Sequence, residues 1–225
     1  MAAQSGERLF LLNMATITAI KQQKRNPQRV NVYLDGAFAF PLAKIVAAWL
    51  KVGQELSPEK LISLQGQDEI EKAFQRVVHF LSFRPRSQSE VERNLRKHAI
   101  PDEIIAKVIE RLVAAGLLND AEFARRWAEN RSEFRPRGAR ALRVELRQKG
   151  VSDTSIEEAL HGLDEESLAR QAAARKARLL AKLEWPEFRN KLSAYLSRRG
   201  FAFDVINQVC REAWEEVKAT PTPTL

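Results

Sequence analysis

One cysteine, three histidines, two methionines and nine glycines among 225 residues set the first limits on this chain. A lone thiol, Cys210, leaves no disulfide framework and no Cys-based zinc cluster, since both need several thiols. His79, His98 and His161 have no partners at ligand spacing and read as surface or helix-end residues, so no metal and no cofactor is expected. Neither GxxxxGK[ST] nor GxGxxG occurs, which removes a glycine-loop cradle for phosphate. No apolar run approaches the ~18 residues of a membrane helix. Leu9–Met14 is shorter than the roughly 7–15-residue core of a signal peptide with its cleavage region. The expectation is a cytosolic, monomeric chain with Cys210 reduced. Acidic pairs such as Asp102/Glu103 and Glu215/Glu216 sit where helix beginnings and exposed faces use them. The chain does not read as an enzyme.

What is present is a hydrophobic share of 44%, a charged share of 29% and a net charge of +8, pointing to an acidic partner, nucleic acid or protein. Residues 1–13 read as a disordered leader or upstream translation extension, because Met14-Ala-Thr-Ile-Thr-Ala-Ile has the form of a natural start. Residues 14–65 read as a small β-meander plus a helix. Ile17 and Ala19 alternate with Thr16 and Thr18, Val30, Val32 and Leu34 alternate with polar neighbours, and Phe38 and Phe40 continue the period of two. Asp35-Gly36 is a two-residue hairpin signal. A helix is predicted at about 42–51, ending at Gly53. Ser57-Pro58 fits an N-cap followed by proline at the first helical position. The basic residues Lys21, Lys24, Arg25 and Arg29 make either a second contact or a solvated hairpin loop, with the loop favoured.

Beyond Asp68 the apolar period is helical, and the sequence repeats. Arg84-Pro85-Arg86 returns 51 residues later as Arg135-Pro136-Arg137. Leu95…Ala99-Ile100, Leu146…Gly150-Val151 and Leu196…Gly200-Phe201 correspond, as do Ile109, Leu160 and Cys210. The predicted fold is mainly α: a tandem array of three three-helix repeats at 66–116, 117–163 and 164–218, behind the small β-rich N-terminal segment. Residues 219–225 read as a disordered tail. Cys210 reads as a small buried hydrophobe, and Phe123, Trp127 and Phe134 as packing residues.

The repeats can be compared position by position. In the middle one, Arg140, Arg143 and Arg147 fall at i, i+3, i+7, within about 60° on a helix. Their equivalents are Ser89, Glu92 and Arg96, then Asn190, Ser193 and Ser197, so the fold does not demand this stripe. With Arg125, Arg126, Arg131, Arg135, Arg137 and Lys149 the span 125–149 holds nine basic and three acidic residues. These nine are the candidate partner- or DNA-binding face, with Arg84, Arg86 and Arg96 as secondary candidates. Guanidinium forks grip carboxylate or phosphate bidentately. The opposing reading is a solvated face neutralised by local pairs such as Arg125 with Glu129. The Arg-Pro-Arg elbows have a structural alternative too, capping the preceding helix end.

Leu81-Ser-Phe-Arg-Pro-Arg-Ser, Gly116-Leu-Leu-Asn-Asp-Ala-Glu-Phe-Ala124, Asn130-Arg131, Arg135-Pro-Arg-Gly138, Glu145-Leu-Arg-Gln-Lys-Gly150 and Arg199-Gly-Phe201 together resemble the RecX family of bacterial regulators over about 68–215. Segment 14–65 is similar to the N-terminal extension of longer members, and the leader before Met14 departs from the pattern. The resemblance implies a non-catalytic protein that binds the RecA recombinase and its nucleoprotein filament and inhibits its recombinase and ATPase activities in DNA repair, with single- or double-stranded DNA as a further partner and no catalytic residues. It also marks Asp120 and Phe123 among motif positions of mixed structural and contact role. Two other readings stand beside it: an autonomous DNA-binding helical module, whose affinity would fall steeply with salt, and a structural adaptor for an unrelated partner.

Overall fold

The computed structural model describes residues 14–219, and the leader and the end of the tail fall outside them. Four strands come first: β1 Ala15–Gln22, β2 Arg29–Leu34, β3 Ala37–Ala43 and the two-residue β4 Glu55–Leu56. They form one antiparallel sheet in the order β3-β2-β1-β4. Asp35 (φ 48°) and Gly36 (φ 85°) make the β2–β3 turn as a pair of left-handed residues, the geometry that matches strand twist. Ile17, Val30, Val32, Leu34, Phe40 and Leu42 point into a core closed by Leu56, Leu61 and Leu64.

Two local expectations fail here. Phe38 does not share a face with Phe40: the register slips between Val32 and Tyr33, one extra residue enters β3, and Phe38 lies exposed with its ring edge-on to Tyr33. No helix spans 42–51 either. Leu42 and Ala43 are still paired in β3, opposite Val30 and Arg29. That leaves Lys44–Trp49 as turns, with Ala47 buried and Val46 and Leu50 against the sheet core. Too little chain remains before Gly53 (φ 87°) to repay helix nucleation.

Nine helices follow among the described residues: α1 Pro58–Leu81, α2 Gln88–Lys97, α3 Asp102–Ala114, α4 Asp120–Phe134, α5 Ala139–Gln148, α6 Asp153–Leu160, α7 Glu165–Leu179, α8 Trp185–Arg198 and α9 Phe203–Ala219. They are the three three-helix repeats. Ser57 caps α1 by accepting from Lys60 N–H, with proline in the first turn. At α4 the Asn119 side chain accepts from Glu122 N–H. The Glu122 side chain does not turn back to the cap but pairs with Arg125 and Arg126. Each second helix ends in one way. Ala99, Gly150 and Gly200 are left-handed (φ 55°, 79° and 82°), and Ile100, Val151 and Phe201 return their N–H to the carbonyls of Leu95, Leu146 and Leu196. That is the six-to-one bond of a Schellman close. Ile109, Leu160 and Cys210 are all buried, and burial pushes the Cys210 thiol up to about 11.

The chain divides into two compact units, and the division falls inside α2. One unit runs through Arg84 and takes in Glu92–Ala115; the other takes Pro85–Val91 with the chain from Gly116 onward. In the first, the buried Asp68 of α1 ties the helix to the sheet. It accepts from Ala43 N–H at 2.6 Å and pairs with Arg29 at 3.0 Å and Lys72 at 2.8 Å. Burial opposes ionisation of Asp68, but those three donors together hold its carboxyl below the usual range. Arg29 is therefore a structural residue and not part of a free loop.

In the second unit the repeats are joined by a junction used twice. Ser87 Oγ donates to Lys149 O, and the matching Gly138 N–H donates to Arg199 O. Asp120, first in α4, accepts from Gln88 N–H; Glu165, first in α7, accepts from Ala139 N–H. Gly150 lies against Ser89 and Gly200 against Ala141, each too close for a Cβ. The junctions use backbone groups and short side chains.

Candidate nucleic-acid or protein interface

Helix α5 carries Arg140, Arg143 and Arg147 on one face, as their spacing requires, but two of the three are occupied. Arg143 is bidentate on Glu157 (2.7 and 2.9 Å), and Arg147 reaches Asp153 at 2.7 Å, both carboxylates belonging to α6. The Arg143 hydrogen bond holds Glu157 below its ordinary range and raises Arg143 in turn. Arg96 makes the same pair with Asp102, so the Arg147 contact belongs to the scaffold.

Three further candidates are turned to structural work around Glu145. This carboxylate accepts from Trp127 Nε1 (2.8 Å) and Arg131 Nε (2.8 Å) and pairs with Arg137 at 3.0 Å. The Trp127 ring is flanked by the Arg131 guanidinium at 4.7 Å and the Lys149 ammonium at 5.1 Å. Lys149 also reaches Glu90 at 2.8 Å across the repeat junction. The cluster knits α4, the Arg135–Arg137 elbow and α5 together. Phe123 is core and packs on Trp127, whereas Phe134 is 67% exposed and not a packing residue.

Four cations of the nine remain available. Arg125 and Arg126 share the single carboxylate of Glu122, with side chains 62% and 63% exposed. The Arg126 hydrogen bond and the two positive charges keep Glu122 ionised. Such exposed pairs contribute little to stability and exchange readily with a competing anion. Arg135 and Arg140 are exposed and make no ion pair among the described residues. Arg125 pairs with Glu122 rather than with Glu129, the partner that the opposing reading named. Arg84 is exposed and Arg86 half-buried beside Pro85, and Arg96 is spent on Asp102 and Glu92. A window over 125–149 missed the neutralising acids because Glu90, Glu122, Asp153 and Glu157 lie outside it.

One groove borders this surface. It encloses about 580 Å3 between the start of α5 and the α8–α9 corner, lined by Arg140, Arg143, Ser193, Ser197 and the exposed Phe203. Ser193 and Ser197 occupy the places of Arg143 and Arg147, and their small side chains open it. No group of three or more His, Cys, Asp or Glu able to hold a metal occurs among the described residues, and none of their helices is long and apolar enough to cross a membrane.

An antiparallel β-segment followed by three three-helix units joined through their second helices defines a tandem helical-repeat protein. Family descriptions match it piece by piece: the N-terminal domain of regulatory protein RecX over residues 15–57, and its first, second and third three-helix domains over 73–112, 119–160 and 164–210. The chain is 39% identical over 199 residues to the regulatory protein RecX of Bacillus subtilis, covering 86% of this chain and 75% of that one. To the Clostridium botulinum (strain Alaska E43) protein of the same name it is 32% identical over 207 residues, covering 89% and 97%. A crystal structure of regulatory protein RecX superposes with a TM-score of 0.76 at 27% identity, over 87% of this chain and 98% of that one. RecX from Lactobacillus salivarius gives 0.61 at 25% identity, over 65% and 97%. The chain belongs to the RecX family.

Proposed function

We propose that this chain is a non-catalytic regulator that binds the RecA recombinase and its nucleoprotein filament and lowers recombinase and ATPase activity. Membership of the RecX family carries the proposal. The tandem repeats support it, since repeat architectures, built from units that contact chiefly their neighbours, suit binding to more than one protomer. Binding that favours one filament state over another alters activity without chemistry. The contact is assigned to the available cations of the middle repeat, Arg125, Arg126, Arg135 and Arg140, with Arg143 beside them at the groove. Arg131 and Arg137 are held by Glu145, Lys149 by Glu90 and Arg147 by Asp153, so they are left out of the assignment.

The test is inhibition of the recombinase ATPase by the Arg135→Gln, Arg140→Gln double variant. Losing two exposed contacts of roughly 0.7 kcal/mol each weakens binding about tenfold, so about ten times more protein is needed for half-inhibition. Neither side chain holds a structural bond, so the fold is unchanged. An inhibition curve superposing on that of the parent removes the assignment. Arg143→Glu is a poor probe, because it sets a second carboxylate against Glu157.

A further inference from the structure

We propose that the end of the sheet carrying the β1–β2 turn is a second contact surface, for the phosphate backbone of nucleic acid, read without regard to sequence. The strands sort their charge by end. Asp35 lies at the β2–β3 turn, where it accepts Thr16 N–H, and Glu55 pairs across from Thr16, so both acids of the sheet stand at one end. The opposite end carries Lys24, Arg25 and Lys44, all exposed and without an ion pair among the described residues.

Backbone bonds place these three together. Gln23 N–H donates to Arg29 O and Arg29 N–H to Asn26 O, closing the turn that presents Lys24 and Arg25. Lys44 N–H donates to Gln28 O at 2.8 Å, which brings the β3 exit alongside that turn. The carboxylates nearest this end do not neutralise it. Asp68 is saturated by Ala43, Arg29 and Lys72, and Glu71 by Arg111 and Gln75. A groove of about 680 Å3 lies beside the turn, with Asn26, Gln28, Lys72 and Arg111 on its walls.

The neighbourhood chooses phosphate over an acidic protein. Protein hot spots centre on large side chains, Trp, Tyr and Arg, in well-packed desolvated pockets. Here the turn offers lysine, arginine, asparagine and glutamine, the set that contacts phosphate oxygens, and Ile45 is the one exposed large apolar side chain at the groove. None of Lys24, Arg25 and Lys44 packs on an aromatic ring among the described residues, and the exposed Trp49 stands five residues beyond Lys44 in the chain, so the contact of these three is electrostatic and indifferent to sequence.

The full-length chain tests this by titration against labelled single-stranded and duplex oligonucleotides over a series of salt concentrations. The Lys24→Gln, Arg25→Gln, Lys44→Gln triple variant is compared with the Arg135→Gln, Arg140→Gln variant. Three lost phosphate contacts reduce the slope of log affinity against log salt by about 2 for single strands and about 3 for duplex. Affinity at low salt should fall at least tenfold, with identical results on unrelated sequences. The triple variant must melt with the parent, because its side chains hold nothing in the fold. A parent that does not bind oligonucleotide, or a triple variant with unchanged slope, overturns the proposal. So does a polyglutamate of matched charge competing as well as DNA, since it shows a surface for acidic protein.

Discussion

Alanine at Gly200 is the most informative single change to the scaffold, because the structure separates its two costs. The first is backbone conformation. At φ 82° an L side chain crowds the following carbonyl, at roughly 1–2 kcal/mol. Gly116 has φ 67° and no atom within 4 Å of where a Cβ would stand, so Gly116→Ala measures that cost alone. Ala99 shows that the first repeat tolerates it at the equivalent position. The second cost is collision. A Cβ at Gly200 would stand 2.5 Å from Ala141 Cβ and 2.9 Å from its Cα, and would press on its backbone nitrogen. Backbone cannot rotate aside as a side-chain tip can, and overpacking of this kind costs about 1–3 kcal/mol. Gly200→Ala should therefore destabilise by about 2–5 kcal/mol and Gly116→Ala by about 1–2 kcal/mol. Urea denaturation of the full chain, followed by helical circular dichroism, reads the difference. Equal losses in the two variants would refute the junction as a backbone-to-backbone contact.

Other consequences are equally open to measurement. Asp68→Asn strips Arg29 of its charged partner and should cost about 3–5 kcal/mol, read from the unfolding of the unit containing the sheet; a loss under 1 kcal/mol contradicts the tie. Because the folded Asp68 carboxyl is the more acidic one, its contribution is complete above the unfolded value of roughly 4 and fades as pH falls through the lower folded value. Parent and Asp68→Asn stabilities should thus converge in acid. Glu145→Gln, which weakens the charged bonds to Arg131 and Arg137, should cost about 1.5–3 kcal/mol in thermal or urea unfolding. With its thiol raised to about 11 and buried, Cys210 should react with a thiol reagent at pH 8 only as fast as the protein opens.

Much of the architecture is written locally. The left-handed positions at 99, 150 and 200 follow a leucine by four residues in each repeat, and a helix ended that way leaves the same trace wherever it recurs. Asp35-Gly36 and Ser57-Pro58 are legible because turn and cap chemistry depends on neighbouring residues alone. The failures are of another kind. Phe38 depends on a register slip opposite Tyr33, and the 42–51 helix was lost to strand pairing with β2, both settled by a partner strand. Arg29 is joined to Asp68 across 39 residues, and nothing in a window around either reveals it. The basic stripe was legible as a stripe, but its neutralisation was not. Glu157 and Asp153 come from the next helix and Glu90 from the preceding repeat. Counting charge along a segment measures supply; only the fold decides how much stays free.

The central claim is tested most directly by equilibrium binding of the labelled full-length chain to preassembled RecA filaments on single-stranded DNA, with the same DNA naked as reference, in one buffer at physiological salt. The account predicts saturable binding at least tenfold tighter to the filament than to the naked strand, weakened about tenfold by the Arg135→Gln, Arg140→Gln variant. Equal affinity for filament and naked DNA, or filament binding indifferent to those two arginines, would contradict it.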